Sequence, residues 1–99
     1  MRDDYADWLA AQGYARTTVA DNLSELRRIE AAYGPVEALI AAGAYPALLQ
    51  TLSYTAEDER QARPNPSRFN IQGRLRTNLA SYKAALLRYR RFLDSQRAG

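Results

Sequence analysis

The last quarter of the chain, residues 74–97, most constrains what this sequence can fold into. It reads RLRTNLASYKAALLRYRRFLDSQR, with no Gly or Pro to interrupt it. Leu75, Leu79, Tyr82, Leu86, Tyr89 and Leu93 recur at alternating steps of four and three, which places them on one stripe of an α-helix. Arg76, Lys83, Arg90 and Arg97 recur every seven residues and form a second stripe beside the first. The pattern predicts one long helix that shows an apolar seam to a core and a row of cations to solvent.

The rest of the chain is punctuated for shorter helices. Asp3 or Asp4 can cap a first helix running to about Gln12, with Tyr5, Trp8 and Leu9 on one face and Gly13 as its stop. Trp8 is expected to anchor a core. Thr17 or Thr18 can cap a second helix, whose stripe of Val19, Leu23, Leu26, Ile29 and Tyr33 ends at Gly34-Pro35. Pro35 suits the first position of a third helix closed by Gly43, and a fourth, about residues 46–53, carries Leu48, Leu49 and Leu52. Thr55 followed by Glu57, Asp58 and Glu59 marks a further start, because the helix dipole favours acids in the first turn. Pro64 and Pro66 break the chain. Phe69 and Ile71 then stand in a polar loop, where they are expected to plug a gap between helices. No strand-period stretch exceeds four residues and no repeat is present. The expected fold is all-α: a single compact bundle of five or six helices over residues 1–99, with a long C-terminal helix.

Composition narrows the function classes. Ninety-nine residues bury roughly 60–65% of their unfolded surface, enough for a modest core but not for an elaborate catalytic cleft as well. No stretch approaches the ~20 apolar residues of a membrane span, and MRDDYADW is too acidic for a signal peptide. With no Cys, a reducing, cytoplasmic setting is expected. The absence of both His and Cys removes the usual zinc sites and the His-based acid–base and nucleophile schemes. No Gly-rich phosphate loop occurs. Seven tyrosines suggest a tyrosine nucleophile, but such a residue works within a cluster of Arg and His. The expectation is a chain that is not an enzyme and needs no metal or cofactor.

The net charge of +3 conceals an asymmetry. Residues 1–63 hold 6 Arg against 10 Asp and Glu, a net of −4, and residues 64–99 hold 8 Arg and Lys against Asp94 alone, a net of +7. A basic block of that density points to a polyanion, nucleic acid first. The other reading pairs the basic helix with the acidic part, within the chain or across a dimer. Of the 14 cations 13 are Arg, whose planar fork suits phosphate and guanine.

Two segments together resemble a known module. Tyr5-Ala6-Asp7-Trp8-Leu9, then Gly13-Tyr14-Ala15-Arg16-Thr17-Thr18-Val19, then Leu26-Arg27-Arg28-Ile29 looks like the opening of the core-binding, SAM-like domain of phage integrases and other tyrosine recombinases. The stretch Tyr82-Lys83-Ala84-Ala85-Leu86-Leu87-Arg88-Tyr89-Arg90-Arg91-Phe92-Leu93 is similar to the closing helix of that domain. Two features depart from the pattern. Asn22 stands where the family usually has Tyr, and the loop over residues 64–73 looks more like a related N-terminal domain ahead of restriction-type nucleases and other bacterial defence proteins. The resemblance implies a helical clamp on double-stranded DNA that serves a catalytic domain or partner subunit. It implies that Arg16, Thr17 and Thr18 meet phosphates at a helix N-terminus, and that Lys83 and its stripe neighbours face the backbone or major groove. The nucleic-acid contacts expected are therefore Arg16, Thr17, Thr18, Arg74, Arg76, Lys83, Arg90 and Arg97. The competing expectation is a protein-interaction or oligomerisation domain, with Thr17 and Thr18 acting only as caps.

Overall fold

Each helix stop written in the sequence acts where the chain has to turn. The computed structural model describes residues 2–98, and the side chains of 4–97. Among them lie six helices and no strand: α1 (Arg2–Ala11), α2 (Arg16–Tyr33), α3 (Val36–Ala41), α4 (Tyr45–Thr51), α5 (Ala56–Arg60) and α6 (Leu75–Ala98). α1 closes in a Schellman motif: the Gly13 N–H donates to the Ala10 carbonyl at 3.0 Å and the Tyr14 N–H to that of Leu9 at 3.3 Å. Gly13 sits at φ +93, where a side chain would be strained. α3 ends the same way at Gly43 and Ala44.

Three helix starts differ from the sequence reading. α1 already includes Asp3 and Asp4, so neither is its cap; the side chain of Asp3 lies outside the described set. α2 opens at Arg16 with extended Ala15 as its N-cap and no side-chain cap. Thr17 and Thr18 therefore occupy the first turn, because the chain leaving the Gly13 motif has only Tyr14 and Ala15 in which to reverse. Pro35 is the N-cap of α3 rather than its first residue. The Val36 N–H finds its acceptor in the Glu30 carboxylate at 2.9 Å, so a side chain of α2 caps α3 across the break.

One apolar cluster draws side chains from α1, α2, α3, α4 and α6. The expected α6 stripe is buried at Leu79, Tyr82, Leu86 and Tyr89, widened by Ala85 and Phe92, and half-buried at its ends, Leu75 and Leu93. α1 packs on it through aromatic rings: Tyr5 meets Tyr89 edge-on at 4.9 Å, and Trp8 meets Phe92 at 5.8 Å. Trp8 is thus a half-buried partner of the core, in keeping with its expected anchoring role.

α6 has two flanks. On one, Arg88 bonds Asn22 and Arg28 bonds Tyr82, so α2 runs antiparallel to α6. On the other, Glu37, Tyr45, Ser53 and Glu59 meet Tyr89, Arg90, Lys83 and Arg76 in turn, so α3 to α5 walk back toward the α6 N-terminus. Between α5 and α6, Phe69 stacks on Tyr82 at 4.2 Å with 14° between the planes and meets Tyr33 edge-on at 5.8 Å. That ring fills the gap assigned to it, and the 44 × 32 × 21 Å body is about two helix diameters thick.

Candidate nucleic-acid interface

The middle of the α6 cation row, Lys83 and Arg90, faces its own protein, and its ends, Arg76 and Arg97, are exposed. Lys83 Nζ donates to Ser53 Oγ at 2.7 Å, and the Arg90 guanidinium lies 4.9 Å from the centre of the Tyr45 ring while bonding Asp94 at 3.2 Å. Arg76 stands 3.8 Å from Glu59. Lys83 and Arg90 are half-buried in the seam against α4 and its following turn, not displayed to solvent as the heptad spacing suggested. The reason is geometric. A helix turns about 100° per residue, so a row beside the apolar stripe lies at the rim of whatever packs on that stripe. Long cationic side chains then lay their stems along apolar surface.

The remaining members of the expected set are scattered over other parts of the surface. Arg97 is exposed near the end of α6. Arg74 precedes α6: its carbonyl accepts the Asn78 N–H at 3.0 Å, and its side chain is exposed. Arg16 and Thr17 are exposed in the first turn of α2, and Thr18 is half-buried. Arg90 lies about 160°, and Lys83 about 140°, around the α6 axis from Arg88, the residue that reaches α2. The α2 N-terminus and the row therefore belong to opposite flanks of α6.

Among the described residues, Arg16, Arg27, Arg74, Arg91 and Arg97 are exposed cations with no hydrogen bond or ion pair inside the chain. Three of them lie on α6 or immediately before it, where no carboxylate other than Asp94 is supplied by residues 64–99. The acidic part of the chain reaches across at Arg76–Glu59, a pair exposed enough to contribute roughly 0–1 kcal/mol. Arg27 and Arg91 lie outside the expected contacts: neither belongs to the seven-residue row of α6, and neither stands at the start of α2 or of α6.

A second feature was invisible in the sequence. The C-terminal half of α2 and the connection before α6 flank a shallow, open cleft of about 460 Å³ whose lining includes Arg28, Arg68, Phe69, Asn70 and Tyr82 and no carboxylate. Arg68 is tethered twice: its Nη1 donates to the Ala32 carbonyl at 2.8 Å, and its guanidinium lies 5.0 Å from the centre of the Tyr33 ring. Arg28 Nη1 points to the Tyr82 hydroxyl at 3.5 Å. The only sequence signal was the placement of Phe69 in an otherwise polar loop. That ring and the Arg68 bonds to Ala32 and Tyr33 hold the loop against α2, which brings both arginines to one cleft.

The buried hydroxyls bear on chemistry. Burial pushes the Tyr5 hydroxyl up to about 12 despite the opposing charge of Arg88, and burial also raises Tyr45. A phenol held protonated and shut away from solvent is a poor nucleophile. Among the described residues, no group of three or more His, Cys, Asp or Glu side chains is placed to hold a metal ion. Compared with known protein families, curated proteins and solved structures, the chain finds no match.

Proposed function

We propose that this chain is a non-catalytic, all-helical module that binds duplex DNA mainly through phosphates and serves a recombinase- or nuclease-type partner domain. The observation that carries this is the net charge of +7 over residues 64–99, with Arg74, Arg91 and Arg97 left exposed and unpaired. Arg16 and Arg27 of α2 add unpaired cations. Arginine donates through a rigid fork that matches phosphate oxygens. The resemblance to a SAM-like core-binding domain supports the same reading, and the long α6 is the element that reading requires.

The test is fluorescence anisotropy on a duplex of about 20 base pairs at several salt concentrations. Each phosphate neutralised contributes a slope of about −0.9 in log affinity against log salt, so three contacts give about −2.7. An affinity that does not change between roughly 50 and 200 mM salt overturns the electrostatic reading. Replacing Arg74, Arg91 and Arg97 together by Glu is expected to abolish binding with the helical circular dichroism unchanged. The same change at Arg76, Lys83 and Arg90 is expected to destabilise the fold, because their partners lie within it.

One observation favours a second reading, that of an interaction domain. Leu87 on α6 is 40% exposed, the one large apolar side chain so exposed among the described residues. A stable dimer at micromolar concentration without DNA, lost in Leu87→Glu, supports that reading.

A further inference from the structure

We infer that the cleft between α2 and the 68–70 segment is a phosphate-binding site, with Arg28 and Arg68 as its two prongs. The cleft brings two guanidinium groups to one concavity of about 460 Å³ and lines it with no acid. Asp21 and Glu25 line a neighbouring pocket that shares Arg28 and Tyr82, but neither lines this one, so the local potential here is positive, and a low-dielectric wall strengthens it. Here that wall is aromatic: Phe69 and Tyr82 are stacked at 4.2 Å.

Arg68 is held before any ligand arrives. Arg68 spends one of its five N–H donors on the Ala32 carbonyl and rests on Tyr33, whose hydroxyl accepts the Arg68 backbone N–H at 2.8 Å. Its four other side-chain donors remain available. Arg28 has only its long contact to the Tyr82 hydroxyl. The loop carrying Arg68 is itself pinned, because Asn65 Nδ2 donates to the Phe69 carbonyl at 2.7 Å and Asn65 Oδ1 accepts the Ser67 N–H at 2.8 Å. Fixing a guanidinium in advance lowers the entropy lost on binding. The exposed Asn70 adds an amide at the rim. Ala31 and Ala32, which complete the lining, leave open space for the oxygens and the group they are attached to.

The ligand is a phosphate group, either a diester of the nucleic-acid backbone or a free phosphate. In its DNA arm the inference rests on the duplex-binding reading above. Amide NMR of the full chain, titrated in parallel with inorganic pyrophosphate and with a duplex of about 20 base pairs, tests it. Shifts at the Arg68, Phe69 and Asn70 amides are expected with both ligands. Arg28→Gln and Arg68→Gln are each expected to weaken duplex binding several-fold and to flatten the salt slope by about 1. Arg68→Lys keeps the charge and loses the fork, so an intermediate loss with an unchanged spectrum elsewhere separates recognition from folding.

If the wild type binds duplex while all three variants retain its affinity and slope, the DNA reading stands and the DNA arm of this site is overturned. If the wild type binds no duplex, the DNA reading falls. Pyrophosphate shifts confined to residues 68–70 and lost in Arg68→Gln then assign the site to a free phosphate. No shift with either ligand overturns the inference.

Discussion

Two tyrosines carry the largest residue-level tension. Tyr5 and Tyr45 are buried, and their hydroxyls lack a hydrogen-bond partner among the described residues. An unsatisfied buried hydroxyl costs about 1–3 kcal/mol, so Tyr5→Phe is expected to raise stability by about 1 kcal/mol in urea unfolding. The alkaline limb follows from the same burial. An acid whose folded value is raised holds its proton longer in the native state, so its contribution is complete below the unfolded value near 10.0. It is lost as pH climbs toward about 12. Stability is expected to fall over that window and to fall less in Tyr5→Phe. Ala62 carries a second strain, standing at φ +52 in the motif that ends α5. Ala62→Gly is expected to stabilise the chain by about 0.5–1 kcal/mol, because glycine meets no Cβ clash in the left-handed region. Asn22, the departure from the integrase-like pattern, is a buried bridge: Nδ2 donates to the Thr18 carbonyl at 2.8 Å and Oδ1 accepts from Arg88 at 3.0 Å.

At the level of elements, the short helices depend on their ends. α5 has five residues and no buried side chain, and it is held by a capping box in which Thr55 and Asp58 exchange hydrogen bonds. The bond from the Thr55 N–H keeps the Asp58 carboxyl below its ordinary value. A lowered carboxylate stabilises above the ordinary carboxylate value and ceases to do so as pH falls through the folded one, so α5 is expected to be the first helix lost in acid. Amide exchange checks this, and Thr55→Ala is expected to speed exchange in residues 56–60 with a local cost of about 1 kcal/mol. The connection before α6 is held by the Phe69 ring together with the Arg68 bonds to α2. Phe69→Ala removes its stacking on Tyr82 and its edge contact with Tyr33 at a cost of about 2 kcal/mol, less than for a fully buried Phe. It is also expected to disperse the Arg28–Arg68 cleft, read as loss of the pyrophosphate shifts.

The whole molecule is built around α6, which meets α1 and α2 on one side and the α3–α5 arm on the other. Leu86 is fully buried in that helix. Leu86→Ala is expected to cost about 2–5 kcal/mol, a large share of the roughly 5–15 kcal/mol typical of a chain this size. The arrangement also sets where charge can act. Cations at the seam hold the arm to α6, and those outside it remain free for a polyanion. Charge reversal at the seam and outside it should therefore separate folding from binding.

The all-helical class, the break at Pro64 and Pro66 and the long apolar face of α6 were determined by the sequence itself. They rest on local rules: a 3.6-residue period, proline geometry and glycine stops. The capping residues of α2 and α3 were not legible, because they depend on how a preceding helix delivers the chain. The site was less legible still. Lys83 and Arg90 read as part of a solvent-facing row but lie in the seam with α4 and its following turn, and Arg28 and Arg68, 40 residues apart, reach one cleft through the Phe69 stack and the Arg68 bonds to α2. Periodicity fixes which face of a helix a side chain occupies. Only tertiary packing decides what that face meets, and so which charges remain for a ligand.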